Sequence, residues 1–270
     1  MEIGISTGCL YPELTENSIR TLAELGFDRF EVFFNTFSEL ENDMIDRLRY
    51  YLDLRGARVV SVHPFSSSFE SFLLFSSYER RFLDGVTFYE RFFRAASRIG
   101  ADRVILHGLN TTYSSTITDN EYFRRFALMQ KRASEYGVRL LQENVNRFRS
   151  ADTSFIVEMS RAIPDEAAFV CDVKQALRAG IDPVDMTEAM GNKLLNVHIS
   201  DRTSDGRCVL PCCGCYDLRG FIAHLKGSGY DGDVLIEVYR TSFGELSELI
   251  RARDSLAEII QEVRNADPDS

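Results

Sequence analysis

The sequence predicts a single parallel (β/α)8 barrel running over residues 1–270, and three observations carry that reading. First, seven short apolar runs close on a carboxylate or an imidazole: FEVFF with Glu31, VVSVH with His63, VILH with His107, LLQE with Glu143, FVCD with Asp172, LLNVH with His198 and VLIE with Glu237. Runs of this length and composition suit buried parallel strands. Second, one unit recurs, an amphipathic helix, a glycine, a few residues and then such a strand. Third, 270 residues with no low-complexity linker and no composition shift fit one barrel.

The elements follow in order. EIGIS supplies an opening strand, and TENSIRTLAEL places Ile19, Leu22 and Leu25 on one helical face. ELGFDRFEVF then turns at Gly26 into the run with Glu31. SELENDMIDRLRYYL reads as a helix opened by a capping box from Ser38 to Glu41. LRGARVVSVH repeats the glycine–strand step with Gly56 and His63. Residues 78–99 carry Phe82, Val86, Tyr89, Phe93 and Ala96 at helical spacing, as a helix packed on a sheet requires. RIGADRVILH, EYGVRLLQEN, AMGNKLLNVH and GSGYDGDVLIE repeat the step at Gly100, Gly137, Gly191 and Gly229. Glycine ends helices there because it accepts the left-handed conformation. AIPDEAAFVCD uses Pro164 to stop its helix instead. The closing NADPDS reads as a frayed polar tail. Eight strands alternating with helices imply right-handed crossovers, and closure leaves no edge strands. No GxGxxG or GxxxxGK[ST] follows the first strand, so a nucleotide-binding open sheet has no support.

Composition narrows the function. A net charge of −10 argues against a nucleic-acid surface, so no nucleic acid is expected as a partner. MEIGISTGCL lacks the basic start and apolar stretch of a signal peptide, and no run approaches a membrane span. The expectation is a cytoplasmic protein without a membrane partner. A homo-oligomer is compatible with the sequence, although no long apolar stripe demands one. Of six cysteines, Cys208, Cys212, Cys213 and Cys215 crowd into RCVLPCCGC. They read as reduced thiols, since adjacent Cys212 and Cys213 fit a tetrahedral zinc knot poorly and no second pair lies at a zinc-ribbon distance.

In a parallel barrel the carboxyl ends of the strands share one face, where activity resides. Glu143, Asp172, His198 and Glu237 come from four consecutive strands. Three carboxylates brought together raise one another's pKa unless a cation compensates. One divalent ion is the natural compensator, and three oxygen donors with one imidazole suit Mn²⁺, Mg²⁺, Co²⁺ or Zn²⁺. Glu31, His63 and His107 are expected to line the pocket and touch substrate. Arg147, Arg202, Arg207 and Arg240 follow strands on the same face; Arg202 or Arg207 is the preferred ligand for a phosphate or carboxylate.

The order Glu, Asp, His, Glu on the last four strands resembles the xylose isomerase-like barrels, the sugar-phosphate isomerase/epimerase superfamily, over essentially the whole chain. The matches are LLQEN at Glu143, FVCD at Asp172 followed by KQALRAG, VHISD at His198 and Asp201, and VLIEVY at Glu237. LPCCGCYDL, with Gly214 and Asp217, resembles the family's loop after strand seven. The resemblance implies that Glu143, Asp172, His198 and Glu237 hold one divalent metal. It also implies that Glu143 and Glu237 act as the acid/base pair of an isomerase or epimerase on a sugar, sugar phosphate or keto-polyol, through an enediolate. This chain departs from the family in two places. Gln175 stands where many relatives have histidine, leaving it a hydrogen-bonding role toward substrate, and Cys213 replaces a common glutamate in the glycine turn. Lys174 reads as a solvated lysine at a helix start.

Three rivals remain. A keto-inositol-type dehydratase would use the same enediolate chemistry. An endonuclease IV-like zinc phosphodiesterase would use His63 and His107 as further ligands, but it also needs a histidine at position 175 and another after strand seven, where RTSDGRCVLP has none. An inactive sugar-binding barrel would explain Gln175 and the altered turn.

Overall fold

Residues 1–266 are described in the computed structural model, so the last four residues of the expected polar tail NADPDS lie outside the described residues. Eight parallel strands form the barrel: β1 (Glu2–Ser6), β2 (Arg29–Phe33), β3 (Arg58–His63), β4 (Arg103–Leu106), β5 (Arg139–Glu143), β6 (Phe169–Asp172), β7 (Leu194–Ile199) and β10 (Asp233–Ile236). They close in the order β1-β10-β7-β6-β5-β4-β3-β2. The loop after β7 adds a small antiparallel pair, β8 (Asp201–Arg202) with β9 (Cys208–Val209). The (β/α)8 architecture read from the sequence is therefore the fold of the chain.

Among the described residues ten α-helices surround the strands: α1 (Thr15–Glu24), α2 (Asn42–Leu54), α3 (Ser67–Leu73), α4 (Glu79–Ile99), α5 (Asp119–Ser134), α6 (Thr153–Ala162), α7 (Val173–Ala179), α8 (Pro183–Met190), α9 (Leu218–Gly227) and α10 (Ser247–Asn265). α4 packs Phe82, Tyr89, Phe92, Phe93 and Ala96 against the strands and ends at Gly100, whose φ of 89° takes up the left-handed turn. The other five glycines assigned to helix ends, Gly26, Gly56, Gly137, Gly191 and Gly229, also have positive φ. Asp152, Asp182 and Asp217 cap α6, α8 and α9 through side-chain acceptors. The capping box from Ser38 to Glu41 does not form. Phe37–Leu40 is a 3₁₀ turn, α2 begins only at Asn42, and Glu41 caps it without a side-chain bond.

Apolar side chains fill the layer between strands and helices, and Ile105, Leu141, Ala168 and Val170 form a smaller inner cluster. At the amino ends of the strands Asp233 receives Arg103 at 3.2 Å, Arg29 at 3.4 Å and Arg58 at 3.8 Å. These contacts tie the bottom of the barrel across its width and leave the carboxyl ends of the strands open for chemistry. Among the described residues no helix is long and apolar enough to cross a membrane.

Candidate active site

Strand register gathers the site. Glu143 ends β5, Asp172 ends β6 opposite His198 of β7, and Glu237 follows β10 with its N–H donating to Ile199 at 3.0 Å. One donor atom from each of Glu143, Asp172, His198 and Glu237 lies within 4.8 Å of all the others. Asp172 serves two structures at once. Its Oδ1 accepts from the Gln175 N–H at 3.0 Å and so caps α7, which turns Oδ2 toward the cluster. Asn144 fixes the strand ends, accepting from the Asp172 N–H at 2.7 Å and donating to the Asp172 carbonyl at 3.0 Å.

His198 is held by charge on both sides. Its Nε2 lies 2.9 Å from Glu31 Oε2, which also accepts from Ser61 Oγ at 2.8 Å. A carboxylate only accepts, so Nε2 carries hydrogen and the neutral ring would present its Nδ1 lone pair to the cluster. That Nδ1 lies 3.0 Å from Glu237 and 3.5 Å from Glu143. Glu31, read as a strand-end residue facing substrate, sits in the middle of β2 with no exposed surface, beneath His198.

His63 ends β3 and His107 follows β4. His63 Nδ1 donates to the Pro64 carbonyl at 3.1 Å, which leaves Nε2 as the acceptor of the neutral ring, 3.1 Å from His107 Nε2. His107 Nε2 lies 2.8 Å and His63 Nε2 3.8 Å from Glu143 Oε2. His63, His107 and Glu143 thus make a second close set of donors that shares Glu143 with the first.

Four buried atoms here have no well-aligned hydrogen bond: Glu31 Oε1, Glu143 Oε2, Asp172 Oδ2 and His198 Nδ1. Buried polar atoms are almost always satisfied. Three of these four belong to the Glu143–Asp172–His198–Glu237 set, and their chemistry fits a divalent ion.

The electrostatics divide the carboxylates. Burial raises the pKa of Asp172 well above 3.8, with repulsion from Glu237 and Glu143 adding to it against the pull of Lys174. For Glu143 and Glu237 burial pushes the same way, yet the neighbouring cations outweigh it and hold both well below 4.5. These are chiefly His107 for Glu143, and Lys174 with His198 for Glu237. Burial pulls His107 down, but Glu143 outweighs it and raises the imidazole from 6.5 to about 9. His198 rises well above 6.5, since Glu31 and Glu237 outweigh its burial.

Lys174 is not the solvated lysine its helix-start position suggests. It is 6% exposed, with Nζ 3.0 Å from Asp172 Oδ2 and 3.2 Å from Glu237 Oε2. Gln175 is half-buried and its Oε1 accepts from the Asn146 N–H at 3.2 Å. Arg202 is exposed beside a narrow cleft that Lys174 and Arg178 also line. Arg207 is exposed in the β8–β9 hairpin loop and bound to Asp205 at 2.9 Å, so the structure does not bring it to the cluster. Glu70 of α3 was not singled out from the sequence. Its carboxylate accepts from Tyr89 at 2.5 Å, Ser66 at 3.1 Å and the Gly108 N–H at 2.6 Å, fixing the backbone that follows His107. Gly108 has φ +95°, and a Cβ there would meet the Tyr122 hydroxyl at 2.1 Å. Gly214 is equally confined, because a Cβ would meet Asp201 and the Arg202 carbonyl at 2.3 Å.

Several known proteins share this architecture. A D-tagatose 3-epimerase-like protein superposes with a TM-score of 0.81 at 20% identity, over 98% of this chain and 99% of its own. An L-ribulose 3-epimerase gives 0.81 at 18% identity over 98% and 97%. The IolI protein, solved with a bound zinc atom, gives 0.78 at 17% identity over 97% and 99%. At these identities the likeness shows the fold. Uncharacterized proteins of Mycobacterium leprae and Mycobacterium tuberculosis are 24% identical over 92% of each chain and 25% identical over 98% and 97%. The model of the xylose isomerase-like TIM barrel family matches residues 19–264, and the chain belongs to that family.

Proposed function

We propose that the protein is a divalent-metal-dependent isomerase or epimerase of a ketose, its phosphate or a related keto-polyol. The observation that carries this reading is the convergence of Glu143, Asp172, His198 and Glu237 on one point, where buried donor atoms lack well-aligned hydrogen bonds. A divalent ion held by those four residues would polarise a substrate carbonyl and a neighbouring hydroxyl, acidifying the intervening C–H. Glu143 and Glu237, both held ionised by their neighbours, supply the acid/base pair, with Glu143 taken as the base. Glu143 takes the proton from carbon, leaving an enediolate, and Glu237, once it has taken a proton from solvent, delivers it to the opposite face. Removal from C3 of a 2-ketose with return to the opposite face gives the epimer; removal from C1 with return to C2 gives the aldose. In this reading His63 and His107 hydrogen-bond substrate, His63 accepting from a hydroxyl through Nε2, and Glu31 acts through His198 by fixing its ring. The sugar epimerases among the structural neighbours agree with this chemistry.

The test is a screen of ketoses and their phosphates with Mn²⁺, read by mass and by deuterium uptake from solvent. Conversion without loss of water and with deuterium taken up from solvent supports the proposal, and loss of water identifies a dehydratase instead. Glu143→Gln and Glu237→Gln should each lower turnover on the order of a hundredfold or more. Unchanged turnover in both removes the assigned roles. The shared donor set of His63, His107 and Glu143 favours one second reading, a multinuclear zinc phosphodiesterase. About three zinc ions per chain would support it, and one ion supports the isomerase.

A further inference from the structure

We propose that Lys174 is the resident counter-ion of the metal-free barrel, and that a divalent ion binds by displacing its ammonium from Asp172 and Glu237. The inference rests on the metal reading above and goes beyond it. Lys174 Nζ contacts one oxygen from each of two of the four proposed ligands, at 3.0 and 3.2 Å. The Asp172 oxygen it contacts is Oδ2, which has no well-aligned hydrogen bond. The Glu237 oxygen is Oε2, the same atom that lies 3.0 Å from His198 Nδ1. An ammonium there neutralises two of the four proposed ligands and competes with an ion for the same oxygens. An ammonium and a divalent ion on the same oxygens repel each other strongly in a buried site, so binding of one opposes the other.

The side chain has somewhere to go. Lys174 is the second residue of α7, so its stem turns about the helix start while Asp172 keeps its cap on the Gln175 N–H. Nζ already lies 5.2 Å from the centre of the Tyr239 ring, and Tyr239 is half open to solvent at 44% exposure. A cleft of about 80 Å³ opens between Lys174, Arg178 and Arg202. Asp201 in that cleft is occupied by the N–H groups of Arg202, Gly214 and Tyr216. A displaced ammonium therefore moves toward the mouth, beside two arginines, and becomes available to an anionic group on the substrate. In this arrangement the lysine weakens metal binding while keeping the empty site neutralised.

Calorimetric titration of chelator-treated protein with Mn²⁺ tests this on the wild type, Lys174→Met and Lys174→Arg. Lys174→Met should bind Mn²⁺ at least tenfold more tightly, its metal-free form should melt at a lower temperature than the wild type, and Lys174→Arg should keep a Kd near the wild-type value. Should Lys174→Met fail to fold, Lys174→Gln is read in the same way. Equal or weaker binding by the neutral variants overturns the counter-ion role and leaves the metal site standing. No binding by any of the proteins overturns both.

Discussion

Glu31→Gln changes neither a proposed metal ligand nor a surface that substrate can reach, since Glu31 is fully buried under His198. It replaces the carboxylate 2.9 Å from His198 Nε2 by an amide of the same shape. A hydrogen bond to a charged acceptor contributes about 1.5–3 kcal/mol against 0.5–1.5 for a neutral one, so the substitution removes roughly 1–2 kcal/mol from the bond that orients the ring. If that bond is what presents Nδ1 to the ion, the metal affinity falls by about 5- to 30-fold, in the range for residues that support a ligand histidine. Titration calorimetry with Zn²⁺ or Mn²⁺ reads the affinity. Nitrogen-15 spectra of the zinc-loaded wild type should show His198 protonated at Nε2. A Kd within twofold of the wild type, or a wild-type ring protonated at Nδ1, would refute the reasoning.

Three other outcomes follow from the same geometry. Glu70→Ala strips three buried donors of their acceptor and should destabilise the fold by roughly 3 kcal/mol in urea, whereas Glu70→Gln should cost less. In the metal-free protein His107 has a folded pKa raised from 6.5 to about 9. Its contribution is complete below pH 6.5 and fades as pH rises through about 9, so the melting temperature should fall between pH 7 and 9.5 and His107→Gln should flatten that fall. The exposed thiols Cys212, Cys213 and Cys215 should react with a thiol reagent before the buried ones. Of the three, Cys212 should be slowest, since burial above all raises its pKa to about 11. Buried Cys9, pushed up to about 12, and Cys171 should react only on unfolding. Native labelling of either buried thiol would contradict the packing.

The sequence carried the barrel because its signals are local. A glycine after most of the helices that precede barrel strands and an apolar run ending on a polar group are both readable within ten residues. Topology then did the rest, placing Glu143, Asp172, His198 and Glu237 at one face once the strands were parallel. What escaped is what depends on contacts between distant segments. Lys174 looks like an ordinary lysine at a helix start, and its contact with Glu237, 63 residues away, shows that it reaches across the cluster. Glu31 reads as a rim residue until His198, 167 residues on, is seen to rest on it. Glu70 lies in a stretch of serine and phenylalanine with no periodic signal, yet it anchors the turn after His107. The misread start of α2 has a local cause. Glu39 is drawn away to Thr15 and the Asn35 N–H, which holds Phe37–Leu40 in a 3₁₀ turn ahead of the helix.

The most direct test of the account is anomalous diffraction from crystals soaked in Mn²⁺ after chelation. The account predicts one peak per chain, contacted by Glu143, Asp172, His198 and Glu237, with the Lys174 amine withdrawn from it. A fully loaded crystal with no peak there, or with the ion held only by His63, His107 and Glu143, would contradict it.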